Sequence, residues 1–226
     1  MAVTDRLNNL ITELDETEDF TYEDYFSVMD ISKSDKEKRK DFAEKVEDVM
    51  LFIFALYLLI KQNGMENPDY VKNQLQDRYK AVIDGYMTVD EYIDDYVKEF
   101  TDDVIDTMDR HIRSDIDDSE KTEKQKEDEE YYTSDLRAMY IAANEANSVF
   151  NYDDYRQAVE NGKTLKRWIT EKDNRVRKTH KEVNGLSVPI DRPFAVGDSL
   201  LMFPHDISLG ASMKEIANCR CTVEYY

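Results

Sequence analysis

The stretch VMLFIFALYLLI, from Val49 to Ile60, is the longest apolar run of the chain and decides its helical character. Twelve residues are too few to cross a bilayer as a helix, which needs roughly 20. Acidic residues dominate the flanking sequence, whereas an interfacial membrane helix carries Lys and Arg on its polar face. We therefore expect a buried core helix and no membrane partner.

A helical pattern extends on both sides of this run. Apolar residues recur at spacings of three and four from Asp35 to about Gln62, with Ser34 as the N-cap and Gly64 at the end. This spacing places one apolar stripe along a single long helix. The stripe consists of Phe42, Val46, Val49, Ile53, Leu56 and Ile60.

Two further helices are predicted downstream. Asn67-Pro68 is typical of a cap followed by proline at the first helical position, and this helix continues to Gly85. The sequence Thr88-Val89-Asp90-Glu91 matches a capping box and opens a long helix that ends near Ile112.

The acidic segment from 115 to 130 has one apolar residue and predicts either a solvated helix face or a flexible linker. The helical period restarts at Leu136 and continues to about Phe150, and residues 152–162 predict a separate short helix.

Glycine and proline usage then changes. Four of the six glycines and three of the four prolines follow residue 160, which favours turns and short strands. Asn184-Gly185 is a common hairpin turn pair, and SLLMF and CRCTVEYY are typical of short strands. We therefore predict a mostly α protein, with an acidic helical region at 1–130 and a small C-terminal α+β domain at 131–226.

Charge divides the chain in a similar way. Residues 1–160 hold 19 Lys and Arg against 42 Asp and Glu, a net charge of -23, whereas residues 161–226 hold 11 against 8, a net charge of +3. An acidic surface repels phosphate, so the first region is a poor candidate for binding DNA and suits a basic protein partner. The basic C-terminal region leaves room for weak DNA contact.

The two cysteines of the chain lie in Asn218-Cys219-Arg220-Cys221. In a strand, residues i and i+2 project to one face, so both sulfurs could bind one zinc ion together with His180. The alternative is a pair of reduced, buried thiols that pack as small hydrophobic side chains. Both alternatives remain open at the level of sequence, and His205, Asp173 and Asp206 are further candidate ligands.

Catalysis is a second option for the same segment. His180 and His205 could act as acid and base in a small metal-dependent hydrolase or nuclease that uses Cys219 and Cys221. The simpler interpretation is a structural network in which Asp173, Arg175 and Arg177 form hydrogen-bonded ion pairs.

The order of these residues resembles the C-terminal domain of phage minor head proteins of the phage Mu F-like head morphogenesis family. The resemblance covers about residues 133–226. The residues that carry it are Trp168, Asp173, Arg175, Arg177, His180, Asn184-Gly185, Phe194, Gly197, Pro204, Asp206 and Asn218-Cys219-Arg220-Cys221. One departure is His205, because the family usually has Pro-Gly-Asp where this chain has Pro204-His205-Asp206.

This resemblance implies a non-enzymatic minor capsid protein of a tailed double-stranded DNA phage or prophage. It implies a location in the virion head, assembly in the host cytoplasm, and portal, scaffold or major capsid protein as partners. It also implies a structural network made of Trp168, Asp173, Arg175, Arg177, His180, Asp206, Asn218 and Arg220. The domain also occurs fused to toxin or enzyme modules in longer relatives.

Overall fold

The computed structural model describes residues 21–64, 67–112, 116–117, 119–171 and 173–226. Over these residues the chain is mostly α-helical and its short antiparallel strands lie in the C-terminal region, which confirms the predicted fold class. The helices are α1 (Tyr22–Ser27), α2 (Lys33–Gln62), α3 (Pro68–Asp84), α4 (Glu91–His111), α5 (Glu123–Tyr132), α6 (Asp135–Glu160), α7 (Lys178–Val183) and α8 (Met213–Ile216). The strands are β1 (Leu165–Ile169), β2 (Ser187–Pro189), β3 (Phe194–Val196), β4 (Ser199–Leu201) and β5 (Thr222–Tyr225).

The described residues divide into two compact units. The first contains residues 42–142, and the second contains residues 21–41 and 143–226. The predicted border at residue 130 remains a prediction.

The apolar run Val49–Ile60 lies within α2 and is a core segment, as predicted. Met50 and Ile53 are fully buried, while Phe52 and Leu59 on the opposite side are exposed. None of the helices in the described part of the chain is long and apolar enough to cross a membrane.

Three helix starts test the predicted caps. The Asn67 side chain accepts from the Tyr70 N–H at 3.1 Å, which confirms the predicted cap of α3. The predicted cap Ser34 is wrong, because Ser32 accepts from the Asp35 N–H at 3.1 Å and α2 begins at Lys33. The predicted capping box at Thr88 is also wrong, because Asp90 caps α4.

The structure corrects one prediction for α6 and, for α5, decides between the two alternatives left open for the acidic segment. The two helices predicted for residues 136–162 are one continuous helix, α6, because no residue between them breaks the hydrogen-bond ladder. The second half of the acidic segment forms α5, which opens with a capping box at Thr122.

The second unit contains both sheets. β1 pairs with β2 and with β5 in an antiparallel sheet of order β2-β1-β5, and β3 pairs with β4. In this register Trp168 lies opposite Val223. The predicted hairpin at Asn184-Gly185 is wrong: these residues lead from the end of α7 to β2, with Gly185 at a φ of 77°.

Candidate functional site

His180, Cys219 and Cys221 converge in the second unit. The Nδ1 atom of His180 lies 3.3 Å from the Cys221 sulfur and 3.6 Å from the Cys219 sulfur. All three side chains are buried, with exposed fractions of 1%, 2% and 3%. Within the part of the chain that the structure describes, these three residues form a group whose ligand atoms lie close enough together to hold a metal ion.

Different elements supply these three side chains. His180 lies in α7, a short helix of 6 residues. Its ring packs edge-on against the buried Trp168 of β1, with 5.7 Å between the ring centroids. The cysteines precede β5, which begins at Thr222, so the predicted placement of the pair within a strand is wrong. A tight turn after α8 directs both sulfurs toward the same ring nitrogen.

Glu215 of α8 lies on the other side of the imidazole ring. His180 Nε2 is 3.3 Å from Glu215 Oε2, in ion-pair contact but not aligned for a hydrogen bond. The Thr179 hydroxyl donates to the same carboxylate oxygen at 2.7 Å. Gly197 permits this arrangement, because a Cβ there would lie 2.6 Å from Glu215 Oε1. Sequence reasoning missed Glu215 and Thr179, since nothing in the local pattern marks either residue.

The electrostatics of the group couple its members. Burial raises the pKa of Cys219, but hydrogen bonding from Cys221 and the charge of His180 outweigh it, so the net pKa is well below its ordinary value. The hydrogen bond to Cys219, together with burial, raises the pKa of Cys221. Burial lowers the pKa of His180, but the Cys219 thiolate and Glu215 reverse this shift and raise it.

Helix α6 holds the cysteine segment through a stripe of asparagines. Asn144 Oδ1 accepts from the Asn218 N–H at 3.0 Å, and Asn147 Nδ2 donates to the Cys219 carbonyl at 3.1 Å. Asn151 Nδ2 donates to the Cys221 carbonyl at 3.3 Å. Spacings of three and four put these residues on one helix face. This spacing was visible in the sequence, but the backbone groups of residues 218–221 that pair with the asparagines were not.

Two non-glycine residues of the site have left-handed backbones. Asn218 has a φ of 51°, which Asn tolerates better than most residues, and His205 has a φ of 71°. Glycine adopts such a left-handed conformation without strain, whereas histidine rarely does. The His205 ring contacts the Cys219 carbonyl through Nε2 rather than joining the sulfur cluster, and burial lowers its pKa.

The remaining predicted network residues are distributed as follows. Asp173 pairs with Arg220 at 2.7 Å, and Arg177 donates to the Ala217 carbonyl. We had expected Asp173 to pair with the side chains of Arg175 and Arg177, but its ion pair is with Arg220. Asp173 also accepts a hydrogen bond from the backbone N–H of Arg175, whose side chain is exposed.

Asp206 is buried and orders its own turn. It accepts from the backbone N–H groups of Met202 at 2.8 Å and Ser208 at 2.9 Å. Both carboxylate oxygens thus accept backbone hydrogen bonds, and Asp206 is not part of the group of potential metal ligands that the described residues bring together.

The burial of this group favours a structural centre over a catalytic one, and among the described residues the group itself offers three of the four ligands that a structural zinc ion takes. A catalytic zinc site keeps one coordination position open to substrate, whereas a structural site is closed. The deep burial of His180, Cys219 and Cys221 counts against the hydrolase alternative, which requires this cluster to lie in an open cleft.

Comparison with known proteins places this site in a family. An NAD(+)–arginine ADP-ribosyltransferase, EFV, of Enterococcus faecalis (strain ATCC 700802 / V583) is 31% identical over 97 residues, which are 42% of this chain and 19% of that protein. The chain thus spans about a fifth of the length of this curated relative. No solved structure matches. The model of the phage Mu protein F-like family matches residues 102–224, which include the sulfur cluster, the asparagine stripe and more than half of the chain, and the protein therefore belongs to this family.

Proposed function

We propose that this protein is a minor capsid component that acts in head assembly of a tailed double-stranded DNA phage, where it docks on the portal or the procapsid. The observation that carries the proposal is the family match over residues 102–224. Membership of a phage head morphogenesis family points to a structural protein rather than an enzyme. It also points to other head proteins as partners.

The first unit has the chemistry of a docking module for a basic protein. Residues 42–142 hold 12 Lys and Arg against 26 Asp and Glu, a net charge of -14. Helix α4 shows how the charge is arranged: Ile93, Val97 and Val104 are fully buried, while Asp94 and Asp95 are exposed. Complementary charge accelerates association and selects partners.

The ADP-ribosyltransferase named above does not change this proposal. The segment shared with that protein is a fifth of its length. A shared domain attached to different neighbours accounts for such a match, and the transferase activity is therefore assigned to no residue of this chain.

The proposal is tested in the phage that encodes the protein. We expect deletion of the gene to lower the yield of infectious particles, and a tagged copy to co-sediment with proheads. Normal particles from the deletion strain, together with a tagged protein that stays in the soluble fraction, contradict the proposal.

The electrostatic part of the proposal has its own test. The double variant Asp77→Lys, Asp95→Lys reverses two exposed charges of the first unit, and Glu182→Lys, Asp198→Lys is a matched control in the second unit. We expect the first pair to weaken prohead binding by tenfold or more at low salt, and the control pair to leave it nearly unchanged. Equal loss in both pairs contradicts docking through the acidic unit.

A further inference from the structure

We infer that His180, Cys219 and Cys221 bind a structural zinc ion, with Glu215 as the positioning residue behind His180. This site is independent of the proposed role in head assembly.

The distances fit a metal shell. Zinc–sulfur bonds of about 2.3 Å and zinc–nitrogen bonds of about 2.0–2.1 Å, set at a tetrahedral angle, separate sulfur from nitrogen by about 3.5–3.6 Å. Of the two observed separations from His180 Nδ1, that of the Cys219 sulfur at 3.6 Å falls in this range, and that of the Cys221 sulfur at 3.3 Å is slightly shorter. All three potential ligand atoms lie within 4.8 Å of one another, so one ion can reach them together.

Hydrogen bonding alone accounts less well for this geometry. A ring nitrogen carries one proton or one lone pair, so His180 Nδ1 can make one good hydrogen bond with a single sulfur. Here two sulfurs approach the same atom at nearly equal distances. A metal ion uses both sulfurs and the nitrogen at once.

Charge balance favours the same conclusion. An isolated buried thiolate is costly, whereas two thiolates and one divalent ion form a neutral group. Thiolate and imidazole ligands together select zinc over magnesium or calcium, which prefer oxygen. Deep burial of Cys219 and Cys221 matches a structural site.

Glu215 completes the pattern on the far side of the ring. A metal-binding histidine commonly donates its second N–H to a carboxylate, which fixes the ring orientation and tautomer. Glu215 Oε2 lies 3.3 Å from His180 Nε2, in ion-pair contact without the alignment of a hydrogen bond, and the Thr179 hydroxyl holds this oxygen in place. The absence of a side chain at Gly197 gives the carboxylate the space it occupies.

The first experiment measures the metal in the full chain. Protein purified without chelator is analysed by mass spectrometry, and X-ray absorption at the zinc edge counts the sulfur neighbours. We expect one zinc per chain with two sulfur ligands and lighter donors in the remaining positions. Protein that carries no zinc after incubation with zinc and desalting overturns the inference, as does a spectrum without sulfur.

Variants then identify the ligands. Cobalt(II) bound to the wild-type protein is expected to give thiolate-to-metal charge-transfer absorption, which Cys219→Ser and Cys221→Ser reduce or abolish. The variant His111→Gln is the matched control, because His111 lies in the first unit against Tyr132. An unchanged spectrum in both serine variants overturns the ligand assignment.

The positioning role of Glu215 is tested by a separate measurement, which does not require the cysteine variants to fold. The variant Glu215→Gln is expected to keep the cobalt–thiolate absorption and to bind zinc about tenfold or more weakly in competition with a chromophoric chelator. Wild-type affinity in Glu215→Gln overturns the positioning role.

Discussion

At the scale of single residues, Gly197 shows how one missing side chain shapes the site. Its φ is 57°, and an added Cβ would lie 2.6 Å from Glu215 Oε1 and 3.1 Å from Thr179 Cγ2. The left-handed backbone explains part of the need for glycine, and the contact with Glu215 explains the rest.

The variant Gly197→Ala is predicted to lower the free energy of unfolding by more than the roughly 1–2 kcal/mol that a left-handed alanine costs, because Glu215 must also move. Gly210→Ala is the control, since Gly210 has a φ of 72° and no neighbour within 4 Å of an added Cβ. Urea denaturation of both variants measures the difference. Equal losses would show that Glu215 adjusts without cost.

We predict that Glu171 makes the stability of the protein depend on pH. Its side chain is buried and accepts from the Asp30 N–H at 3.3 Å. Burial raises its pKa to about 7; the Asp30 hydrogen bond and Arg220 oppose this shift, and the charges of Asp173 and Asp30 add to it.

The sign of the effect follows from this raised pKa. Between pH 4.5 and pH 7 the folded state keeps the proton that the unfolded state has lost, so the free energy of unfolding falls as pH rises through this window. The variant Glu171→Gln keeps an acceptor but cannot ionise, and we predict a flatter pH dependence in urea denaturation. Exposed Glu182→Gln is the control and is expected to follow the wild type; a Glu171→Gln curve parallel to the wild type contradicts the assignment.

At the scale of the elements, α6 does more than supply apolar core. Asn147 is fully buried, and its amide group serves three partners: Oδ1 accepts from Arg39 at 3.2 Å, and Nδ2 donates to Tyr25 Oη at 3.2 Å and to the Cys219 carbonyl at 3.1 Å. One side chain thus connects α1, α2 and the cysteine segment within the second unit.

The variant Asn147→Ala is predicted to lower the free energy of unfolding by about 1–3 kcal/mol or more, because it leaves buried polar groups without partners. Asn73→Ala, at an exposed position of α3, is the control and is expected to stay within about 0.5 kcal/mol of the wild type. Chemical denaturation compares the two. A small effect at Asn147 would mean that water or another donor replaces its amide.

The elements also show which local signals were reliable. The cap at Asn67 was predicted correctly because Pro68 fixes the first helical position. The hairpin predicted at Asn184-Gly185 was wrong because a glycine with a left-handed backbone is as common after the end of a helix as in a hairpin turn. Here the helix α7 comes directly before these two residues.

At the scale of the whole molecule, the most prominent feature is the negative net charge. The chain carries a net charge of -20, and an excess of like charge destabilises the compact state through self-repulsion. We predict that the melting temperature rises when salt is increased from about 0.01 M to about 0.15 M, as the Debye length falls from about 30 Å to about 8 Å.

The salt experiment is read by calorimetry, and the same scan with an uncharged osmolyte at equal osmolarity separates screening from solute exclusion. A melting temperature that falls with sodium chloride would indicate that attractive ion pairs, such as Lys72 with Asp102 and Asp106, outweigh the repulsion.

From the sequence alone we could predict the mostly helical fold, the core position of Val49–Ile60, the acidic character of the first region and the family resemblance of the C-terminal part. These features rest on local periodicity, composition and motif order, which neighbouring residues along the chain carry. The folded chain was needed to show that the cysteines face one nitrogen of His180, that Glu215 lies behind the ring and that asparagines of α6 hold the cysteine backbone. These contacts join residues 35 to 72 positions apart, and such pairings are fixed by packing and backbone turns rather than by any local pattern.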